Sequence, residues 1–424
     1  MRRSLAFAVF VLFAAAAQAQ PSHWVASWFT SQQVAEPENM LPPEVMGDAT
    51  LRQVVRLSIG GTGFRVLLSN AFGATPLHLS AVHVARPTGP GEIDPATDRA
   101  LTFSGRPDVT IPAGASYLSD PVALPVAPFE DVAITIRTGE PPAVETSHPG
   151  SRATSYVVAG DHVSDARLEG AKTIDHWYLI TGIDVTAAPH AKAVVALGDS
   201  IIDGRGSTTN GNDRWTDVLA EKLAANPATR GTAVLNAGLG GNRLLNDGKG
   251  TNTLARFDRD VLAPSGVAGV IVLEGINDLG TLTSKQPASP EEHAVLVNRI
   301  IAAYEQIAAR AHTHGLKAMI ATIMPFMGNE TYHPDAANEA DRTAVNSWIR
   351  TQKLFDGVID FDALMRDPAQ PDRLNPAYDT GDHLHPGPAG YRAMGALAAT
   401  ALLPAGKAVP RPHGRAHKTT KKHK

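Results

Sequence analysis

Apolar and polar positions alternate with one rhythm in the first part of the chain and with another in the second. Between residues 24 and 185 the alternation has a period of two, as at 55–59 and 64–68, which is typical of half-buried β-strands. The glycine-rich segment 60–63 between those stretches predicts a hairpin-like break. Further strands are predicted at 77–84, 131–136 and 177–183. Because turn residues separate these short strands, residues 20–185 are predicted to form an all-β sandwich or jelly-roll domain.

After residue 185 the rhythm changes to strand, loop and helix. Short apolar runs predict buried strands at 194–197, 234–236, 267–273, 316–323 and 358–361. Helical spacing of apolar residues predicts helices at 215–223, 291–312, 339–355 and 388–402. Such alternation is typical of a parallel sheet with helices on both faces. The sequence therefore predicts a second, α/β domain over residues 193–404, joined to the first by a linker at 186–192.

The two ends of the chain differ from the rest. Arg2 and Arg3 precede an apolar run at 5–17 and then Ala17 and Ala19, a pattern typical of a secretory signal peptide, which we assign to residues 1–19. The mature protein is therefore expected to be secreted or periplasmic. Residues 405–424 hold seven Lys or Arg, three His and no acid, which predicts a disordered basic tail. The tail is either merely solvated or in contact with anionic envelope or wall polymers.

Composition narrows the class of protein. The chain has no cysteine, which excludes thiol catalysis and cysteine metal sites. Without the signal peptide and the basic tail its formal net charge falls from −4 to about −13, and such a body argues against nucleic-acid binding. No later segment approaches the roughly 20 apolar residues that a membrane span needs.

Four short motifs occur in order along the second domain. They are Gly198-Asp199-Ser200, the stretch 236–241, the stretch 275–278 and the stretch 382–386. The first three each follow a predicted strand of the sheet. Since ligands of such sheets bind outside the carboxyl ends of the strands, these three motifs are expected to converge at one edge.

The residues in these motifs are those that acyl transfer requires. Ser200 is the candidate nucleophile and His385 the candidate base that takes its proton, with Asp382 orienting the imidazole. The backbone amides of Ser200 and Gly241 and the side chain of Asn277 are candidate donors of an oxyanion hole. Two further carboxylates, Asp199 and Asp278, are expected to brace the loops.

Each motif taken alone also has an ordinary interpretation. Ser200 could be a turn residue, Gly241 part of a flexible loop and Asn277 a helix cap. His383 and His385 could be a metal pair, but nothing specifies further ligands, so no metal and no cofactor are expected. The chain contains no Gly-x-Ser-x-Gly, His-Glu-x-x-His or P-loop motif, which disfavours the enzyme classes that those motifs mark.

Taken together, the motifs resemble those of the SGNH hydrolases, also called the GDSL family. The four residues that give the family its name match Ser200, Gly241, Asn277 and His385, and the family's acid matches Asp382. The resemblance covers roughly residues 193–402 and implies a flavodoxin-like, three-layer α/β/α domain that hydrolyses carboxylic esters. Ile201 stands where the family name has leucine, which is a conservative change.

A looser resemblance concerns the branch within that family. The stretches 198–204, 212–215 and 69–73 are similar to those of secreted esterases related to the acylesterases of xylan-degradation clusters. That similarity implies removal of short acyl groups, acetyl in particular, from oligosaccharides or polysaccharides. Aryl esters, lipids and lysophospholipids remain alternative substrates.

Other roles also remain open. The chain could be a catalytically idle glycan-binding protein, or the β domain could serve only as a lid or brace. Phe326, Tyr332 and His333 are candidate residues of the substrate rim, where they would stack on a sugar or simply cover the site. Asn329 begins a formal N-glycosylation sequon.

Overall fold

The computed structural model describes residues 23–41, 47–140 and 142–403. The predicted signal peptide and the predicted basic tail lie outside these described residues. Within the described ranges, no helix is long and apolar enough to cross a membrane.

The strands are numbered along the chain. They are β1 Trp24–Phe29, β2 Gln33–Val34, β3 Ala49–Arg56, β4 Phe64–Ser69, β5 Leu77–Ala85, β6 Pro87–Gly89, β7 Glu92–Ile93, β8 Arg99–Ala100, β9 Val109–Ile111, β10 Ser116–Leu118, β11 Asp131–Thr138, β12 Thr146–His148, β13 Ser155–Ala159, β14 Lys172–Ile174, β15 Trp177–Tyr178, β16 Ile180–Thr186, β17 Lys192–Gly198, β18 Thr232–Gly238, β19 Val267–Leu273, β20 Lys317–Ala321 and β21 Gly357–Ile359.

Among the described residues, the α-helices all follow β17. They are α1 Ser200–Asp203, α2 Trp215–Ala225, α3 Thr253–Phe257, α4 Ile276–Thr283, α5 Pro290–Thr313, α6 Ala336–Thr351, α7 Phe361–Met365 and α8 Pro388–Leu402. Short 3-10 turns occur at Pro37–Asn39 and Pro95–Thr97, and a π-helical turn at Asp258–Leu262 continues α3.

The predicted α/β architecture is confirmed. Five parallel strands pair in the order β18-β17-β19-β20-β21, the strand order of flavodoxin-like sheets. Residues 193–198 of β17 are all buried, as expected for a strand covered on both faces. The helices cover the sheet in two groups, since α2 packs on α8 and α5 packs on α6.

Local capping fixes where the helices begin. Ser289 caps α5, accepting a hydrogen bond from the Glu292 amide while the Glu292 side chain bonds back to the Ser289 amide, so the capping box sets that boundary. Asp335 caps α6 in the same way with Asn338. Helix α6 therefore begins at Ala336, three residues before the predicted start.

The first part of the chain is β-rich and antiparallel, as predicted. One sheet has the order β1-β16-β4-β10, and a larger one has the order β14-β13-β3-β11-β5-β8 with β9 also pairing with β5. The predicted hairpin across residues 60–63 is wrong, because β3 and β4 belong to different sheets. Residues 60–63 lie in the segment that connects one sheet to the other. The alternation of apolar and polar residues in β3 and β4 therefore did not mean that these two strands pair with each other.

The β-rich part packs directly against the α/β part. Strand β1 pairs with β16, and Thr30 just after β1 forms a parallel bridge with Asn236 of β18. The Ala26 amide also donates to the Ser265 carbonyl at 2.9 Å. One connected cluster of buried apolar side chains runs through both parts. The β-rich part thus packs along the β18 edge of the parallel sheet.

Candidate active site

Ser200 lies at the junction between β17 and α1. Asp199 caps this short helix, accepting the Ile201 amide on Oδ1 at 2.9 Å. The amide of Ser200 lies in the first turn of α1, where helix geometry leaves amides without intrahelical partners. Gly238, at the end of β18, lets that strand approach α1 closely, because a Cβ at Gly238 would lie 2.1 Å from the backbone nitrogen of Asp203. The serine is therefore held on a short, tightly packed turn at the carboxyl edge of the sheet.

His385 and Asp382 reach Ser200 from the loop before α8. The distance from Ser200 Oγ to His385 Nε2 is 2.8 Å, and that from His385 Nδ1 to Asp382 Oδ2 is 2.6 Å. Asp382 Oδ1 also accepts the backbone amides of Leu384 and His385 at 3.0 and 2.8 Å. Partial burial acts to raise the pKa of Asp382, but these bonds with His385 hold it well below its ordinary value. Asp382 is therefore a carboxylate, His385 Nδ1 donates to it, and Nε2 is left to accept the Ser200 proton.

The loop after β18 carries Gly241 to the same edge. The Leu239 amide donates to the Gly198 carbonyl at 3.0 Å, and the Asn242 carbonyl accepts the Asn277 Nδ2 at 2.7 Å. Gly241 adopts a left-handed φ of 69°, which glycine reaches without the Cβ clash of other residues. The structure thus brings the loops that carry Ser200, Gly241 and Asn277 into direct contact.

The side-chain amide of Asn277 has a fixed orientation. Tyr332 donates its hydroxyl proton to Asn277 Oδ1 at 2.6 Å. Burial, together with nearby carboxylates, raises the pKa of Tyr332 to about 12, so this hydroxyl stays protonated at neutral pH. With its oxygen engaged by Tyr332 and one N–H engaged by Asn242, Asn277 has one N–H left to donate to a substrate.

Arg256 connects the same loops from beneath, and sequence reasoning missed it. The side chain is buried on α3. Its guanidinium donates to the Gly198 carbonyl at 2.8 Å, the Ala237 carbonyl at 2.8 Å and Asn242 Oδ1 at 3.0 Å. It also pairs with the buried carboxylate of Asp260 at 2.9 Å. One side chain therefore fixes three points of the catalytic loops, at Gly198, Ala237 and Asn242.

Three further carboxyl groups, those of Asp199, Glu274 and Asp278, lie buried near the catalytic loops. Burial raises the pKa of Asp199 and of Glu274, and the negative charge of Asp278 raises both further. Burial also raises the pKa of Asp278 to about 6. Asp278 accepts the Leu244 and Leu245 amides at 2.7 and 3.0 Å, so it holds the chain that follows Gly241. Asp199 and Asp278 thus contact the loops that they were predicted to brace.

The three residues proposed for the rim lie in different environments. Tyr332 is half-buried on Asn277, and His333 is exposed. Phe326 is only 1% exposed and belongs to the core, so its predicted place on the rim is wrong. The ring belongs to the connected cluster of buried apolar side chains and has no exposed face to stack on a sugar.

Asn329 holds the histidine loop, a role that the sequence did not reveal. Its side chain is buried and donates from Nδ2 to the Asp382 carbonyl at 2.8 Å. Its Oδ1 accepts the amides of Thr331 and Tyr332 at 3.1 and 3.0 Å. A single asparagine thus links the loop that bears Tyr332 to the loop that bears Asp382 and His385.

Ser31 and His148 are among the residues of the β-rich part that contact the support of this site. Ser31 donates its hydroxyl proton to Asp260 Oδ2 at 2.7 Å and accepts from Arg256 at 2.9 Å. His148 Nδ1 donates to the Ser31 carbonyl at 2.8 Å, and its Nε2 lies 2.9 Å from Asp203 Oδ1 at the end of α1. Both contacts are buried, so the first part of the chain supports the helix and the loops that carry Ser200.

No group of three or more His, Asp or Glu side chains within the described ranges is arranged to hold a metal ion. The His383 imidazole instead contacts Asp379, with 2.6 Å between Nδ1 and Oδ2.

Comparison with known proteins identifies the second part of the chain. Residues 196–393 match the family described as the GDSL-like lipase/acylhydrolase family. This segment is a GDSL-type hydrolase domain. The resemblance drawn from the four motifs is thereby confirmed, and the chain is a carboxylic ester hydrolase.

Solved structures similar to the GDSL-type domain cover about half of the chain. A lipolytic protein of the G-D-S-L family from Desulfitobacterium hafniense is 20% identical, with a TM-score of 0.37 over 49% of this chain and 98% of its own. A carbohydrate acetylesterase from Sinorhizobium meliloti is 17% identical, with a TM-score of 0.37 over 49% of this chain and 97% of its own. An acetyl xylan esterase is 21% identical, with a TM-score of 0.37 over 50% of this chain and 100% of its own. These likenesses are too weak to assign a substrate. No curated protein matches the chain.

Proposed function

We propose that the chain is an exported serine esterase that removes short acyl groups, acetyl in particular, from carbohydrate through an acyl-enzyme on Ser200. The observation that carries the catalytic part is the relay from Ser200 Oγ through His385 to Asp382, with distances of 2.8 and 2.6 Å. Export is supported by the signal-like pattern of residues 1–19, and the carbohydrate substrate by the resemblance of the stretches 198–204 and 212–215 to xylan-cluster esterases.

The geometry supports a two-step reaction. Ser200 Oγ bonds to the acyl carbon while its proton passes to His385 Nε2, and the imidazolium that forms is stabilised by Asp382. The carbonyl oxygen takes up negative charge and accepts hydrogen bonds from the Ser200 and Gly241 amides and from Asn277 Nδ2. The ester C–O bond then breaks, and the leaving alcohol takes the proton from His385. Water repeats the sequence on the acyl-enzyme and releases the carboxylic acid.

The first experiment compares the chain with its Ser200→Ala variant on p-nitrophenyl acetate. Turnover by the unmodified protein and its loss in the variant are expected. Undiminished turnover in the variant would exclude Ser200 as the nucleophile. Since His385 must be neutral to accept a proton, activity should also decline in acid, and a constant rate down to about pH 4 would contradict an imidazole base.

The second experiment addresses the substrate. Aryl esters of increasing acyl length, a lysophospholipid and acetylated xylo-oligosaccharides are compared by kcat/KM, with Ser200→Ala as the blank. The proposal expects acetyl esters to be preferred among aryl esters, and acetylated xylo-oligosaccharides to exceed the lysophospholipid. The reverse order would assign the chain to lipid rather than carbohydrate esters.

A further inference from the structure

One cavity of the described chain lies away from Ser200. It is a cleft of about 420 Å³ between the β-rich part and the α/β part, within the range of roughly 300–1,000 Å³ typical of small-molecule sites. Neither Ser200 nor His385 lines it. Ligand sites occur preferentially between domains, so this cleft, called the interdomain cleft below, is a candidate site separate from the ester-cleaving centre.

Its two walls differ in chemistry. The β-rich wall is lined by Trp28, Tyr156 and Trp177. Trp28 and Trp177 are 8% and 6% exposed and pack edge to face against each other, whereas Tyr156 is partly exposed. The opposite wall is formed by α2 and the residues before it, with Arg214, Asp217 and Glu221. An aromatic wall facing a polar wall suits a ligand with apolar C–H faces and several hydroxyl groups, as a pyranose ring has.

The charges that line the cleft are mostly paired with each other. Arg56 binds Asp131 at 2.8 Å, and Arg214 lies 3.4 Å from Asp217. His148 and Asp203 form the third pair, at 2.9 Å. Since both lining arginines already have carboxylate partners, the cleft offers no free cation to an anionic ligand. The exposed carboxylate of Glu221 remains as an acceptor for hydroxyl protons.

Asp203 lines the cleft and carries one unsatisfied polar atom. The residue is 2% exposed, and its Oδ2 has no hydrogen-bonding partner. Buried polar atoms are nearly always hydrogen-bonded, and this oxygen lies beside Gly150 and Gly240, behind the lining of the cleft. Asp203 ends α1, the helix that begins with Ser200, so the cleft adjoins the catalytic turn from its other side.

Loop contacts hold the two walls together at the cleft. Asn210 lines the cleft, and its amide donates to the Arg152 carbonyl at 2.9 Å. The Asn210 Oδ1 accepts the Thr154 amide at 2.8 Å. Arg214 also donates to the Ser151 carbonyl. The width of the cleft is therefore fixed by the fold before any ligand binds, which lowers the cost of binding.

We propose that the interdomain cleft binds a neutral saccharide segment of the polymer whose esters are cleaved at Ser200. The inference rests on the proposed function for the identity of the polymer, and on the cleft itself for the binding. Tyr156 contacts a sugar ring face, and Glu221 accepts hydroxyl protons. The β-rich part is thereby a substrate-binding element as well as a support for the catalytic loops.

The test is direct binding, measured by titration calorimetry on the full chain carrying Ser200→Ala. The probes are unacetylated xylohexaose, cellohexaose and chitohexaose. Two further changes, one in each wall, are Tyr156→Ala and Glu221→Ala. Their matched controls are Tyr117→Ala on β10, where the tyrosine is 41% exposed, and Glu305→Ala on the exposed face of α5, both outside the cleft. Thermal unfolding of each variant checks that it is folded.

At least one probe is expected to bind, with affinity reduced about tenfold or more by each wall change and unaltered by each control. If none of the three saccharides binds, or if the controls weaken binding as much as the wall changes, the cleft is not a saccharide site. Failure of the proposed function is recognised separately, because p-nitrophenyl acetate turnover by the chain with Ser200 intact does not depend on these titrations.

Discussion

Replacing Arg256 by methionine tests whether one buried guanidinium holds the catalytic loops together. Arg256 and Asp260 are 0% and 1% exposed at their side chains. Methionine fills similar apolar space but removes every hydrogen bond to Gly198, Ala237 and Asn242. The change therefore removes the connection between the loops without touching Ser200, His385 or any oxyanion donor.

The stability cost follows from the carboxylate that is left behind. Burial acts to raise the pKa of Asp260, but Arg259 and Arg256 together hold it below its ordinary value. Removing one partner of a fully buried pair costs roughly 3–5 kcal/mol of unfolding free energy. Arg259, which is 37% exposed, remains at 2.7 Å from Asp260 and compensates in part, so a loss of about 3 kcal/mol is expected for Arg256→Met.

The matched control is Arg259→Met. It removes the other cation from Asp260 but no contact with the loops that bear Ser200 and Gly241, and a partly exposed pair of this kind contributes about 0–1 kcal/mol. Urea unfolding gives the stability of both variants, and p-nitrophenyl acetate kinetics give kcat and KM below the unfolding transition.

We expect kcat of Arg256→Met to fall about tenfold to a hundredfold with little change in KM, because the misplaced donors act on the transition state. Arg259→Met should keep kcat within about twofold. A folded Arg256→Met protein with a kcat within about threefold of the unmodified chain would refute the positioning role. Equal losses of kcat in the two variants would show that the charge on Asp260 matters and the loop contacts do not.

Three further changes test other contacts of the site. Tyr332→Phe removes one hydrogen bond to Asn277, so kcat should fall about fivefold. Asn277→Ala should cost far more, roughly 10²-fold to 10³-fold. An unchanged kcat in Tyr332→Phe would mean that Tyr332 does not orient the Asn277 amide. Asn329→Ala removes the hydrogen bond to the Asp382 carbonyl, so it should lower kcat and reduce the free energy of unfolding by about 1–2 kcal/mol. The control Asn246→Ala, which changes an exposed asparagine, should lower neither. Equal melting temperatures for the two variants would argue against a role of Asn329 in holding the histidine loop. Asp199→Asn removes a carboxyl whose pKa burial raises to about 7. Between about pH 4 and pH 7 the folded chain keeps this proton while the unfolded chain loses it, so the variant should gain stability relative to the unmodified chain as the pH rises through that range. Parallel pH profiles of unfolding for the two proteins would contradict this.

The sequence predicted what local order along the chain can determine. Ser200, Gly241 and Asn277 each follow a strand of a parallel sheet, and sheet topology alone brings such positions to one edge. The three-residue spacing of Asp382 and His385 likewise allowed their contact to be expected from a single loop. These predictions needed only strand order and turn geometry.

What was missed depends on contacts between distant residues. Arg256 lies 58 positions from Gly198, Asn329 lies 53 from Asp382, and Tyr332 lies 55 from Asn277. No period or spacing marks such pairs, because each residue has an ordinary place on a helix or loop. The hairpin error at residues 60–63 has a similar origin, since alternation shows that a segment is a strand but not which strand lies beside it.

The buried position of Asn329 has a consequence for making the protein. Asn329-Glu330-Thr331 is a sequon, and in a eukaryotic secretory pathway a glycan would be attached while the chain is still unfolded and the asparagine accessible. A modified Asn329 could not occupy its site of 4% exposure or donate to Asp382. Material secreted from yeast or insect cells should therefore contain inactive, glycosylated molecules that bacterial material lacks, and treatment with a glycosidase after folding should not restore their activity.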